Sequence, residues 1–185
     1  MRALKAGVKC IDHGNLITKE ETILAIKEAG AFLCPQVLIF SPTEEQLELG
    51  DPETVAKGAG ARDNLDKFMR LVKKHDMEIS FGVDMFGSAE LLAFQNEELT
   101  RRLKWFTPAE VLQQATSNTA KLLALCGPRN PYKDGPLGVI KEGAYADMLL
   151  VDGDPLTDLT LLEDPAKNLV LIMKDGKIYK NTLDD

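Results

Sequence analysis

Val8-Lys9-Cys10-Ile11-Asp12-His13, Ala31-Phe32-Leu33-Cys34-Pro35 and Glu78-Ile79-Ser80-Phe81-Gly82-Val83-Asp84 are three short apolar runs, and what separates them decides the fold. The first run ends at Gly14. Thr18 then reads as an N-cap, with Glu21 three residues on completing a capping box. A helix is predicted over residues 19–29, with Ile23 and Ile26 in helical spacing and Gly30 as its stop. After the second run, a loop carrying Pro42 and Glu44-Glu45 leads to a helix over 53–75, with Leu65, Phe68, Leu71 and Val72 on one face. Strand, helix, strand, helix, strand is the pattern of βαβ units in a parallel sheet.

Two further helices are predicted beyond the third run, over 89–103 and 108–125. The second opens with Thr107-Pro108-Ala109-Glu110, in which Thr107 caps, Pro108 occupies the first turn and Glu110 returns the capping-box bond. The character changes after Gly127-Pro128. Short strand-like runs follow at 138–140, 146–151 and 169–173, and Asp175-Gly176 is a hairpin signal suited to a type I′ turn. The predicted organisation is an α/β part over 1–127 and a β-rich part over 128–185.

Hydrophobic residues make up 44% of the 185 and charged ones 28%, the balance of a soluble globular protein. A net charge of −7 argues against nucleic acid as a partner, because phosphate binding requires a basic face. No stretch approaches the roughly 20 apolar residues that span a bilayer, so no membrane partner is expected. The first seven residues are followed by no apolar core of a signal peptide. Cys10, Cys34 and Cys126 are odd in number and far apart, which argues against a disulfide framework and fits a cytoplasmic location.

His13 and Asp84 share one feature: each closes a predicted parallel strand just before a loop. In α/β barrels that face is where catalytic groups gather. Imidazole and carboxylate both ligate zinc-class ions, and a carboxylate beside a metal-activated water can take its proton. A hydrogen-bonded structural role for the histidine and a turn role for the aspartate fit the same positions. Asn15 and Gln36 are placed to project toward a substrate at that face, and loop polarity explains them equally well. His75 ends a helix beside Lys73 and Lys74, where a solvated residue favoured by the helix dipole is expected. Cys34 has no neighbouring histidine in sequence, which disfavours a nucleophilic role.

Whole segments carry a family resemblance. Ala6-Gly7-Val8-Lys9-Cys10-Ile11-Asp12-His13-Gly14 resembles the strand-six segment of the amidohydrolase superfamily, with Asp12 in place of the usual glutamate. Phe81-Gly82-Val83-Asp84 resembles its strand-eight segment, with Val83 replacing a hydroxyl residue. Phe106 to Leu112 and Ala115 to Ala120 resemble the last barrel helices, and Leu137 to Asp147 resembles the return into the β-sandwich. The resemblance runs over the whole chain in family order and is nearest to the imidazolonepropionase-like and Xaa-Pro dipeptidase-like groups. It implies an α/β fold, the C-terminal portion of a (β/α)8 TIM barrel (strands 6–8) plus part of a small β-sandwich.

By the same resemblance His13 is the strand-six metal ligand, and Asp84 ligates metal and shuttles the proton of the attacking water. The implied cofactor is a divalent metal, zinc first. The implied reaction is hydrolysis of a C–N bond in an amide, peptide-like or cyclic amide substrate. The family's strand-one His-x-His pair, strand-four lysine and strand-five histidine have no counterpart, so the chain is expected to be a C-terminal part that is inactive alone. Three strands of eight cannot close a barrel, and the open edges call for a second chain or oligomer to complete it. The alternative readings are a non-catalytic truncated subunit that binds a partner carrying the missing half, and a metal-free α/β binding protein.

Overall fold

The computed structural model describes residues 1–85 and 88–183. The chain divides into two compact units, Met1–Phe106 and the residues from Thr107 onward.

In the first unit a single helical turn, α1 (Arg2–Lys5), precedes β1 (Cys10–Asp12), α2 (Glu20–Glu28) and β2 (Phe32–Cys34). The two strands pair in parallel, with Cys10 opposite Phe32 and Asp12 opposite Cys34. Helices α3 (Glu44–Leu49), α4 (Pro52–Lys57) and α5 (Ala59–Lys74) follow, then α6 (Ala89–Leu92) and α7 (Glu97–Arg101). Leu33 of β2 is fully buried, as are Ile23 and Ile26 of α2 and Leu65, Phe68, Met69 and Val72 of α5. This is the predicted βαβ core, with the expected apolar faces of both helices turned inward. Each such side chain contributes about 1.5–3 kcal/mol by leaving water.

Four local readings are corrected. Helix α2 is capped by the backbone of Lys19 without a side-chain bond, not by Thr18. The amide of Asn64 holds the carbonyls of Asn15 and Ile17, and the chain turns helical only beyond that clamp. The predicted loop around Glu44-Glu45 contains α3, whose Thr43 and Gln46 form a capping box that its sequence carries in plain form. The long helix over 53–75 is broken at Gly58 into α4 and α5.

The fourth correction concerns the third strand. It reduces to one parallel bridge, Leu33 to Ile79, because the carbonyls beyond it find another donor. Arg102 donates to the carbonyls of Ser80 and Gly82 and to that of Pro35 past the end of β2. A side chain thus satisfies buried groups that a ladder would otherwise pair.

In the second unit α8 (Pro108–Gln113) begins with the expected Thr107–Glu110 capping box and passes through a π turn, Gln114–Asn118, into α9 (Thr119–Ala124). The predicted strand at 138–140 does not form, and Ile140 is 91% exposed. Gly138 adopts φ +72° against the backbone of Thr116, a turn that breaks extended structure. That close approach also explains why α8 and α9 group with the residues after them.

β3 (Met148–Val151), a short helix α10 (Pro165–Asn168), β4 (Leu169–Lys174) and β5 (Lys177–Asn181) complete the unit. The strands form one antiparallel sheet in the order β3-β4-β5 over buried Leu159, Leu162 and Leu169. Asp175 and Gly176 join β4 to β5 at φ +49° and +73°, the two positive values that a type I′ turn demands. Among the described residues no helix is long and apolar enough to cross a membrane.

Two glycine substitutions separate backbone conformation from close packing. Gly176→Ala meets no atom within 4 Å and should cost only the left-handed conformation, about 1–2 kcal/mol. Gly138→Ala brings its Cβ to 2.6 Å from the Thr116 carbonyl group and should cost clearly more. Urea midpoints measured on both variants check the order.

Candidate metal and active site

The site is built on a buried ion pair. Glu98 and Arg102 stand one turn apart at the end of α7, both at 0% exposure, with Nε donating to Oε1 at 2.7 Å. The Glu98 carboxylate also accepts from the amides of Val37 (2.9 Å) and Leu38 (2.7 Å), which open the loop after β2. Burial raises the Glu98 pKa, and the Arg102 guanidinium and those two amides oppose the rise. The Arg102 guanidinium lies 4.5 Å from the Phe81 ring centroid and reaches the carbonyls of Pro35, Ser80 and Gly82. One pair of side chains therefore ties together the segments that lead into the loop 37–40 and into Asp84.

His13 follows β1 and Asp84 follows the Ile79 bridge, and both hold left-handed backbone, φ +63° and +53°. That conformation is uncommon for residues with a Cβ and costs on the order of 1–2 kcal/mol. His13 is secured by its own amide, which donates to the Cys34 carbonyl (3.0 Å) and to Gln36 Oε1 (3.1 Å). Next to it Gly14, at φ +77°, leaves room for the Phe68 ring, which a Cβ would meet at 2.9 Å. The result brings His13 Nε2 to 3.5 Å from Asp84 Oδ2, with the two side chains 46% and 41% exposed. The Phe40 ring stands edge-on to the imidazole at 6.0 Å between centroids. Both side chains open onto a cavity of about 600 Å³ walled by Leu38, Phe40, Leu47 and Leu91.

The other sequence candidates fall elsewhere. Gln36 is buried, and its amide is taken up by His13 N and Cys34 Sγ; it does not line that cavity. Asn15 is 2% exposed, neither atom of its side-chain amide has a partner among the described residues, and it borders a neighbouring groove with Ile11 and Ile17. His75 is not a free solvated residue: its Nε2 lies 2.6 Å from Glu20 Oε1. Burial pushes the Cys34 thiol up, and pushes Cys10 up to about 12, so neither is a thiolate nucleophile.

The amidohydrolase family model matches residues 2–179, nearly the whole chain. The chain belongs to the amidohydrolase family. A solved amidohydrolase is 32% identical and superposes with a TM-score of 0.85 over 99% of this chain and 42% of its own. A prolidase solved with N-methylphosphonate-L-proline is 31% identical, with a TM-score of 0.83 over 98% of this chain and 42% of its own. Ochratoxinase from Aspergillus niger is 26% identical over 97% of this chain and 35% of its own length. The chain thus spans less than half the length of the relatives it matches.

Within this amidohydrolase chain, the imidazole of His13, just after β1, and the carboxylate of Asp84, five residues past the Ile79 bridge, are chemically suited to a divalent metal and lie within reach of each other. A zinc-type catalytic site needs about three protein ligands. Among the described residues no group of three His, Cys, Asp or Glu side chains gathers. His13 and Asp84 thus supply two donor side chains, fewer than such a site requires.

Sequence reasoning missed Glu98 and Arg102. Their spacing in sequence is the same as that of Glu97 and Arg101 one position earlier, a pair that stays partly exposed. Nothing in the local pattern says which of the two is buried. Removing one partner of the buried pair, by Arg102→Met, should cost about 3–5 kcal/mol because an uncompensated carboxylate stays inside. The double variant Glu98→Gln/Arg102→Met should cost less than the sum of the single changes, and urea unfolding of all three checks this.

Proposed function

We propose that this chain carries strands six to eight of an amidohydrolase (β/α)8 barrel and part of its β-sandwich, and that His13 and Asp84 are its share of a metal site that hydrolyses C–N bonds. The observation that carries the reading is the 3.5 Å approach of His13 Nε2 to Asp84 Oδ2, the one just after β1 and the other beyond the Ile79 bridge. In this reading β1, β2 and the Ile79 segment are strands six, seven and eight, and the β3-β4-β5 sheet belongs to the sandwich.

When bound, a divalent metal, zinc first, contributes Lewis acidity and lowers the pKa of a water molecule. His13 would hold the metal. Its ring is oriented by the backbone bonds to Cys34 and Gln36 and by the Phe40 edge. Asp84 both ligates and serves as general base, taking the proton of the attacking water at one carboxylate oxygen and delivering it to the leaving nitrogen. The half-exposed position of its carboxylate leaves an oxygen open for that transfer. The remaining ligands come from outside these residues. The substrate class is an amide, peptide-like or cyclic amide, consistent with the prolidase and ochratoxinase names among the relatives. Asn15, with its unpartnered amide, stays a candidate for substrate contact, whereas Gln36 acts as a positioning residue for His13.

A second reading is favoured by the edge of β1, which among the described residues pairs only with β2, and by Leu16 beyond it at 74% exposure. There the chain is a subunit that docks on a partner carrying the other strands. Zinc titration of the purified chain tests both readings. With two of its ligands present the chain should bind zinc weakly, at up to one per chain, and His13→Ala and Asp84→Asn should each weaken that binding by at least about tenfold, since even outer-shell changes cost that much. Zinc binding equal in all three proteins would sink the metal assignment. Zinc bound only after a chain with strands one to five is added would favour the docking subunit. In an assembled active enzyme, Asp84→Asn should lower turnover by about a hundredfold or more.

A further inference from the structure

We infer that the cavity beside His13 and Asp84 selects an apolar amide bearing a free carboxylate, and that Arg62 receives that carboxylate. The inference rests on the preceding reading of His13 and Asp84 as the reacting end of the cavity.

The cavity holds about 600 Å³, the size of a small-molecule site, and most of its wall is hydrocarbon from Leu38, Ile39, Leu47, Leu49, Val55 and Leu91. Such a wall binds the body of a ligand without orienting it. Orientation has to come from the few charged side chains that line the space, which among the described residues are His13, Asp84, Asp51 and Arg62. The first two face each other and are committed to the reacting end. Asp51 already has an interaction of its own. Arg62 is different. It lies in the first turns of α5 and is half buried, and no hydrogen bond or ion pair engages its guanidinium among the described residues.

Neighbouring cations show how unusual this is. Arg70 and Lys104 both pair with Asp66 (2.7 and 2.9 Å), Arg101 pairs with Glu97 (2.9 Å), and Arg102 is enclosed by Glu98. An arginine left without an acid and set against an apolar wall is poorly screened by water, so an incoming anion interacts with it more strongly than on an open surface. The guanidinium fork matches a carboxylate in a two-bond geometry. A substrate of dipeptide size then has three fixed points: its carbonyl at His13 and Asp84, its apolar group against the leucines, and its carboxylate on Arg62. Arg62 is in this sense a specificity-determining residue, not a catalytic one.

The test uses this chain, with N-phenylacetylglycine and its neutral partner N-phenylacetylglycinamide as probes. Titrations are followed by calorimetry with a chelator present, so that no metal captures the carboxylate. The acid should bind about tenfold more tightly than the amide, the size of one charge-assisted hydrogen bond. Arg62→Gln should bring the two ligands to equal affinity, and His13→Ala should leave the acid preference intact. Equal binding of acid and amide by the unsubstituted chain, or no binding of the acid, would overturn the inference without any variant. An unchanged preference in Arg62→Gln, or its loss in His13→Ala, would overturn it as well. Zinc titration of the same preparations keeps the two readings apart. Zinc binding that depends on His13, together with no acid preference, refutes Arg62 alone; His13-independent zinc binding refutes the metal reading whatever Arg62 does.

Discussion

The Glu98–Arg102 ion pair is the interaction on which the first unit depends. Neither side chain reaches water, and between them they meet two backbone amides and three backbone carbonyls. A charge taken from water costs several kcal/mol unless partners of good geometry replace the lost hydration. Here the replacement comes from the chain segments that leave β2 and the Ile79 bridge. Those segments would otherwise have needed a longer ladder, so the short strands and the ion pair are two sides of one arrangement. The pair also sets where the loop 37–40 and the run to Asp84 can go, and through them the wall and the acidic corner of the cavity.

Local strain at the site fits the same picture. His13 and Asp84 both sit in left-handed backbone, which each disfavours, and they persist there because the surroundings over-determine them. For His13 the restraints are visible: two acceptors on its amide, glycine at the next position, and the Phe68 ring filling the space that glycine leaves. For Asp84 the path is less direct and runs through the carbonyls of Ser80 and Gly82. Gly82 itself has Gln36 and Cys34 within 2.8 Å of where a Cβ would stand, so the segment that leads to Asp84 can approach the end of β2 only as glycine at that point.

The second unit shows a simpler logic. Its sheet is set by short apolar runs and by a hairpin whose two positive-φ residues are an aspartate and a glycine. Asp147 stiffens the turn by accepting from the Asp175 amide (2.7 Å) and pairing with Lys174. The Lys174 pair holds the Asp147 carboxyl below its usual range, followed by the bond from Asp175. Each contact is exposed, and such pairs add little alone, so the turn chemistry and the small leucine core decide the sheet.

Sequence by itself determined the βαβ order, the buried faces of α2 and α5, the capped start of α8, the β4–β5 hairpin, and the family, because each rests on local periodicity, turn chemistry or motifs in order. It also pointed to His13 and Asp84, through their shared place at strand ends. Only the tertiary structure decided that these two meet at 3.5 Å, that Gln36 supports His13 from beneath, and that Asn15 is buried without a partner. Only it could tell Glu98 and Arg102 from Glu97 and Arg101, or show Arg62 without a partner among the described residues beside an apolar cavity. The physical reason is common to all of these. Burial and pairing of a polar side chain depend on what arrives from distant parts of the chain, and residue spacing along one element carries no record of that arrival.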